Sequence, residues 1–437
     1  MVDRLKQYIA GQHLFPPGQG VLLAVSGGRD SVCLVHLMRS AGYDFAIAHS
    51  NFHLRPGDCD RDQDFVRRLA AQVQAPFHTV DFDTRAYARE HGLSDEMAAR
   101  DLRYRWFARV CHEHSLGCVA TGHHSDDSIE TFFLNLFRGT GIAGLQGMRP
   151  RSSFEFEEGS LTVVHPMLCF SRRDIDRYVE EHSLQYVEDC TNALPEVRRN
   201  RLRLQVVPLL RELYPSFDAT MVGNMRRMAD VEKVYNLGIE SLRERYVKML
   251  PPQLPTTPCP MESIALGELP EPRATILFEF LRGAGFHEPQ VRQMLDSGQS
   301  SGALFRSPSH VATVADGRLV VAPWCEPAEP VVAEVAGSRR FEAGVAVVDA
   351  DSLMRPLRVR RWEEGDRFCP LGMEQHRKVS DYLKDRKVNR IEKQHVWLLV
   401  DAADRIVWVI GLCIDHRFRV TDATRTISRL VVTPAGA

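Results

Sequence analysis

At 437 residues, 44% of them hydrophobic and 26% charged, the chain is too long for one ordinary core and has the composition of a soluble protein of two or three domains. Its 55 basic and 57 acidic residues leave a formal charge of −2, which excludes a globally basic nucleic-acid binder but not local basic surfaces. No apolar run reaches the roughly 18 residues of a membrane span. The charged stretch Met1–Ile9 is unlike a signal peptide, and ten scattered cysteines without a Cys-x-x-Cys pair suit reduced thiols in the cytoplasm.

Val21-Leu22-Leu23-Ala24-Val25 reads as a buried strand and Val32–Met38 as the body of a helix. Between them stands Ser26-Gly27-Gly28-Arg29-Asp30-Ser31. A glycine turn at such a junction can serve backbone geometry alone. It is equally a cradle for phosphate: N–H groups at a helix start point outward, the dipole adds positive charge, and glycine permits close approach. Ser26 and Ser31 add hydroxyl donors, and Asp30 can hold a metal ion shared with the phosphates. Neither a Walker loop nor a dinucleotide fingerprint is present, since no Gly-Lys-Ser/Thr follows and Gly-x-Gly-x-x-Gly is absent.

Further strands are expected at Asp44–His49, Pro76–Val80 and Cys118–Gly122, alternating with helices over Asp60–Gln74 and Ser94–Val110. This alternation implies an α/β fold with a doubly wound, mostly parallel sheet. His49 and Asn51 close the second strand, where such sheets bind ligands. The fourth strand runs into Gly122-His123-His124-Ser125-Asp126-Asp127-Ser128-Ile129-Glu130. A helix opening near Asp127 would be capped by that residue and would set Asp126 and Glu130 on one face. Three carboxylates there compete with the anion that the dipole favours, unless Mg²⁺ or a substrate ammonium group sits among them. Two other readings stay open: a well-capped solvated helix start, or a zinc site from His123, His124 and Asp126. Arg138-Gly139-Thr140-Gly141 suits a loop close to an anion.

Ser171 is expected to cap a helix. Arg198, Arg199, Arg201 and Arg203 precede the apolar Val206–Leu210, as either a solvated surface or a phosphate contact. Residues 216–250 read as one long helix, and seven prolines from Pro251 to Pro272 as a linker. Helices at 273–282 and 290–295, with short strands from 302 to 322, complete a mainly helical middle domain over 216–325. After the proline-rich break at 323–330, a small α+β domain over 331–437 carries strands at Arg339–Glu342, Val345–Val348, Leu357–Trp362, Val396–Val400 and Ile406–Ile410. Its segment Arg377–Lys393 sets seven Lys or Arg against three acids around Tyr382. That is a charged helix face, or an RNA contact with an aromatic able to stack.

The loop Ser26–Ser31 resembles the PP-loop of the N-type ATP pyrophosphatases, which split ATP into AMP and pyrophosphate. Together with Ala48–Arg55, Glu96–Tyr104, Thr121–Thr131 running on to Arg138–Gly141, and Arg361–Phe368 with Lys378–Tyr382, it resembles the tRNA(Ile)-lysidine synthetases. The likeness covers an N-terminal domain, 1–215, and the last domain; the middle is matched by length and helical character. Phe52 departs from it, standing where many members have His.

The resemblance implies that ATP adenylates the C2 oxygen of the wobble cytidine in the CAU anticodon of an isoleucine tRNA, and that the ε-amine of free L-lysine then displaces AMP. It implies ATP and Mg²⁺ as cofactors, with Asp30 and Asp127 as metal ligands. Ser26, Gly27, Gly28, Arg29, Asp30, Ser31, His49, Asn51, Gly122 and His123 would surround the nucleotide. Asp30, Asp126, Asp127, Glu130, Arg100 and Arg138 would be catalytic. Arg199, Arg203, Arg361, Lys378, Arg386 and Lys387 would contact tRNA, and Phe and Leu faces of the middle helices would allow a homodimer. Two other classes answer to parts of this pattern. Another PP-loop enzyme, a tRNA thiolase or glutamine-dependent synthetase, would need paired cysteines or a glutaminase module, and neither is seen. A non-enzymatic nucleotide-binding protein would have no use for the intact Asp30, Asp126, Asp127 and Glu130.

Overall fold

The computed structural model describes residues 1–53, 58–157, 159–187, 198–297, 302–336, 342 and 344–433. Leu54, Arg55 and residues 339–341 of the strand expected at Arg339–Glu342 lie outside them. The described residues divide into two units, Met1–Val234 and Tyr235–Ala437, with the division inside one long helix.

In the first unit, α1 (Val2–Gly11) precedes β1 (Val21–Ala24), α2 (Arg29–Ser40), β2 (Phe45–Asn51), α3 (Asp58–Val73) and β3 (Phe77–Asp81). Then follow α4 (Thr84–His91), α5 (Asp95–Glu113), β4 (Cys118–Ala120), α6 (Ser125–Arg138), β5 (Arg151–Phe156), β6 (Gly159–Val164) and α7 (Arg172–Glu181). The sheet order is β3-β2-β1-β4-β6-β5, parallel throughout except for β5. Alternate residues feed opposite cores, as a strand's period of two requires. Val21 and Leu23 pack with Leu34, Leu37 and Phe170 on one face, and Leu22 packs with Phe107, Val119 and Val163 on the other. Burial on both faces explains why β1 reads as a continuous apolar run. The chain moves outward from β1 through β2 to β3, then returns to the other side of β1 as β4. The carboxyl ends of β1 and β4 therefore form the topological switch point, where such sheets place their ligands.

A broken helix closes this unit. α8 (Arg198–Arg201) runs through a wide π-helical turn, Leu202–Val206, into α9 (Val207–Leu213). Pro208 has no N–H to donate and its ring crowds the carbonyl one turn back, so the α ladder cannot pass through it. The Val207 N–H reaches five residues back, to the Leu202 carbonyl. α10 (Phe217–Tyr246) follows, four residues shorter at its end than expected, because Val247–Leu250 form strand β7 instead. Pro251 and Pro252 disfavour helix in the residues before them.

β7 opens the second unit's five-stranded antiparallel sheet, ordered β7-β8-β11-β10-β9, from β8 (Met261–Ala265), β9 (Ala303–Arg306), β10 (His310–Ala315) and β11 (Arg318–Pro323). α11 (Arg273–Leu281) and α12 (Glu288–Asp296) cover it through Ile276, Leu277, Phe280, Val291 and Met294. The middle region is thus three helices plus a sheet, of which the sequence showed only the last three strands. The remainder comprises β12 (Val331–Ala336), β13 (Val345–Asp349), β14 (Arg358–Arg361), β15 (Arg367–Phe368), β16 (Arg377–Lys378), α13 (Val379–Asp385), β17 (Trp397–Val400), β18 (Ile406–Val409), β19 (Cys413–Ile414) and β20 (Ile427–Thr433). Two small antiparallel sheets, β12-β20-β13 and β14-β17-β18-β19, share a core around Trp408, Ile410, Phe418 and Leu430. Among the described residues no helix is long and apolar enough to cross a membrane.

Candidate active site

The loop after β1 is built as its residue types require. Gly27 has φ +93°, and a Cβ there would sit 3.4 Å from Val66 and 3.5 Å from Phe65, so a larger residue would be both strained and crowded. The Gly28 N–H donates to Ser26 Oγ at 3.3 Å, and Ser31 Oγ donates to the Gly28 carbonyl at 2.8 Å. Gly28, as N-cap, offers no side chain to α2, which leaves the helix's first N–H groups for another acceptor. Gly122, at the end of β4, lies so near α2 that a Cβ would be 2.9 Å from the Asp30 carbonyl carbon. Its part is to let the two loops meet. Arg29 turns aside to an ion pair with Asp176 at 2.5 Å and lies over the Tyr186 ring. Cys33, fully buried on α2, has its thiol pushed up to about 12 by burial, so no thiolate adjoins the loop.

α6 begins one turn earlier than the sequence suggested. His124 is the N-cap, and Asp127 sits three residues on, accepting the His124 N–H at 3.0 Å. This shift divides the carboxylates between two sides. Asp127 and Glu130 face Arg199 and Arg203: Arg199 donates to Asp127 at 2.9 Å and to Glu130 at 2.7 Å, and Arg203 donates to the same two at 3.1 and 2.7 Å. Asp126 instead accepts the Arg172 N–H at 2.9 Å and pairs with Arg211. Asp30 is held by Arg172 through two bonds, at 2.8 and 2.9 Å. Burial alone would raise the pKa values of Asp126 and Asp127, but the cations and donors around them hold both carboxyls below the usual range.

The two adjacent histidines part company. Thr121 Oγ1 lies 2.7 Å from His123 Nδ1 and 2.6 Å from His165 Nδ1. Burial, with Arg199 and Arg103 nearby, lowers His123 to about 4, so it is neutral. The His124 ring, 2% exposed, lies among Asp127 at 3.4 Å, Asp126 at 3.7 Å and Asp30 at 3.9 Å. Burial opposes its charge, yet the carboxylates raise its pKa. With their rings turned to different partners, the pair does not present one zinc ion with two ligands.

A cavity of about 1,290 Å³ joins these parts. It is lined by Ser26, Gly28, Arg29, Asp30, Ser31, His49, Asn51, Arg100, Gly122, His123, Asp126, Asp127 and Glu130, as well as by Arg199 and Arg203. Arg199 and Arg203, read from the sequence as tRNA contacts, therefore stand inside the cavity against carboxylates. His49 Nδ1 is 2.8 Å from the Val25 carbonyl, and Asn51 donates to Asp60 and Gln63, so both brace the floor. Arg138 is not brought in: it is exposed at the far end of α6, about 20 Å of helix from Ser125. Phe52 stacks on Phe82 at 5.6 Å beneath the Arg103 guanidinium, in keeping with a packing role. Arg361, Lys378, Arg386 and Lys387 belong to the second unit, exposed on its surface. Tyr382, expected to stack on RNA, is 5% exposed and packed edge-on against Phe368.

Sequence reasoning missed Arg172 and Arg211. The first carried a signal, since the Ser171–Asp174 capping box fixes where α7 starts and so where Arg172 falls. Arg211 had none; its contact with Asp126 spans 85 residues.

A strand, a glycine loop and a helix start at the switch point of a parallel sheet define a PP-loop nucleotide-binding fold, and residues 2–210 match the family model described as a PP-loop domain. Residues 263–324 match the TilS substrate binding domain and 357–431 the TilS substrate C-terminal domain. The tRNA(Ile)-lysidine synthase of Bacteroides thetaiotaomicron is 36% identical over 97% of this chain and 98% of its own. That of Parabacteroides distasonis is 35% identical over 98% of each, and that of Dehalococcoides mccartyi 31% over 98% of each. The chain belongs to the tRNA(Ile)-lysidine synthase family, whose members are PP-loop, ATP-dependent ligases.

Proposed function

We propose that this chain joins free L-lysine to the wobble cytidine of the CAU-anticodon isoleucine tRNA, in the cytoplasm, at the expense of ATP. The C2 oxygen of the cytidine attacks the α-phosphorus and pyrophosphate leaves; the lysine ε-amine then attacks C2, and AMP leaves with that oxygen. One observation carries the reading: the phosphate loop and the carboxylate cluster of α6 open into the same cavity. A loop alone supports only the splitting of a nucleotide. Carboxylates beside it supply a place for a cationic nucleophile.

Ser26–Ser31 and the start of α2 would receive the pyrophosphate. Arg100 and Arg103, both on the cavity wall, would offset charge as it develops at the α-phosphate. Asp30 and Asp127 suit Mg²⁺: both are hard oxygen donors, and both lie within 4 Å of the same His124 nitrogen, at 3.9 and 3.4 Å. Magnesium there would neutralise charge on the leaving pyrophosphate. Glu130 would hold the lysine ammonium and take its proton, while Asp126, on the other side with Arg172 and Arg211, would fix Arg172 against Asp30. In the structure Arg199 and Arg203 lie on Asp127 and Glu130. An entering triphosphate offers those arginines a second anion and so makes the carboxylates available to lysine.

The test is Asp30→Ala, assayed for tRNA-dependent pyrophosphate release. Release should be abolished, and near-normal release would overturn the assignment of the loop.

A further inference from the structure

A second cavity, of about 570 Å³, lies within the second unit, in the roughly 300–1,000 Å³ range of small-ligand pockets. Its wall brings together Arg306 at the end of β9, Trp324 just beyond β11, Arg361 at the end of β14, and Trp362 and Lys393. The Arg306 guanidinium stacks 4.3 Å from the Trp324 ring centre. Trp362 is fixed by its indole N–H, which donates to the Lys393 carbonyl at 2.9 Å. Three cations share the lining with a single carboxylate, Glu326. Among the described residues none of the three has an ion pair; Arg361 lies over the Trp397 ring and donates to the Pro327 carbonyl at 3.4 Å. Lys393 is pressed downward in pKa by burial and by Arg390 and Lys384, the mark of a place short of anions.

Flat π surfaces beside unpaired cations match one ligand chemistry: a planar heterocycle joined to a phosphodiester. A paired base keeps its faces inside the helix, so only an unstacked nucleotide can offer both. We propose that this pocket takes one unpaired nucleotide of a bound RNA, its base against Trp324 and Arg306 and its phosphates against Arg361 and Lys393. The proposal rests on the reading of this chain as acting on RNA. It also supplies what Tyr382, buried in its own core, does not: an accessible aromatic beside the basic surface.

The test uses the full-length protein and fluorescence anisotropy with a labelled single-stranded RNA tetranucleotide, a blunt RNA duplex, whole tRNA, and AMP as competitor. Trp324 is about a third exposed, at 36%, and an unchanged thermal melting temperature reports that the Trp324→Ala protein is folded. Trp324→Ala should weaken the tetranucleotide about 10-fold, Trp324→Phe should restore most of the affinity, and duplex binding should change less than about 2-fold. Equal tetranucleotide binding by Trp324→Ala and wild type would overturn the pocket, as would AMP competing as strongly as the RNA. Wild type that binds tRNA but not the tetranucleotide would also overturn it, leaving the broader reading in place. Wild type that binds no RNA at all would overturn both.

Discussion

Around His124, four carboxylates and four arginines stand in near balance, and each carboxylate has a different set of partners. Glu130 is 3% exposed at its side chain and, among the described residues, pairs with Arg199 and Arg203. Glu130→Gln keeps the shape and removes the charge. It should cut lysine transfer about 100-fold, the scale of a missing proton acceptor, while exchange of pyrophosphate into ATP falls far less. An equal fall in both assays would make Glu130 a structural anchor for the two arginines. The coupling of triphosphate to the same arginines makes a second prediction. By calorimetry, lysine should bind at least about 10-fold more tightly with a non-hydrolysable ATP analogue present, a coupling of about 1.4 kcal/mol; equal affinity with and without the analogue would contradict it. The carboxylates were legible in the sequence because a helix start places Asp126, Asp127 and Glu130 close together by local geometry alone. Their partners were less so: the capping box placed Arg172 at the start of α7 without naming its partner, and Arg211 arrives through tertiary packing that no spacing encodes.

The wide turn at Leu202–Val206 shows how one element sets the site. It places Arg199 and Arg203 over Glu130 while α9 brings Arg211 to Asp126. A regular helix would carry Arg211 round by the angle of the added residue. Pro208→Ala restores the missing N–H, so it should leave the melting temperature unchanged or raise it and still lower pyrophosphate release about 10-fold. Full activity with an unchanged melting temperature would show that the turn does not matter. Prolines misled at another place. The seven between Pro251 and Pro272 read as a linker, yet Leu254 is 1% exposed and the Glu392 carboxylate accepts the Gln253 N–H at 2.6 Å. Proline favours extended chain, and composition does not tell a packed extended segment from a free one. Strand β20 was missed for a related reason: it pairs with β12 and β13, both distant in sequence.

At the scale of the molecule, the doubly wound sheet was readable because β1 to β4 alternate with helices and its central strands β1 and β4 are buried on both faces. The second unit was harder to read, since its strands are short and its cores are pinned by buried charges. Asp415 is fully buried and accepts from the Cys369 N–H at 2.9 Å and from Arg417 at 2.8 and 2.9 Å. Burial works against its charge, but Arg417 and the backbone donors hold its carboxyl below the usual range. A carboxyl depressed in the folded state stabilises above its unfolded value of about 3.9 and loses that contribution as pH falls through the folded value. Asp415→Asn should therefore cost about 1–3 kcal/mol in urea unfolding at neutral pH, with the gap to wild type narrowing below about pH 4; a gap independent of pH would contradict it. The interlocking at Gln253 and Glu392 also means that removing residues 331–437 would strip part of the neighbouring core. Charge substitution is the cleaner probe of RNA binding. Lys378→Gln with Arg386→Gln should lower the slope of log affinity against log salt by about 0.7–0.9 for each phosphate that these side chains neutralise; an unchanged slope would remove that surface from the interface.

The central claim is that one cavity activates an RNA base with ATP and delivers lysine to it. Its most direct test is transfer of radiolabelled lysine to CAU-anticodon isoleucine tRNA by the purified chain with ATP and Mg²⁺. The account predicts label in the RNA that is stable to mild alkali, as a carbon–nitrogen bond is, formed in equal amount with AMP and absent with Asp30→Ala. ATP cleavage without label in the RNA, or label released by mild alkali as from an ester, would contradict it.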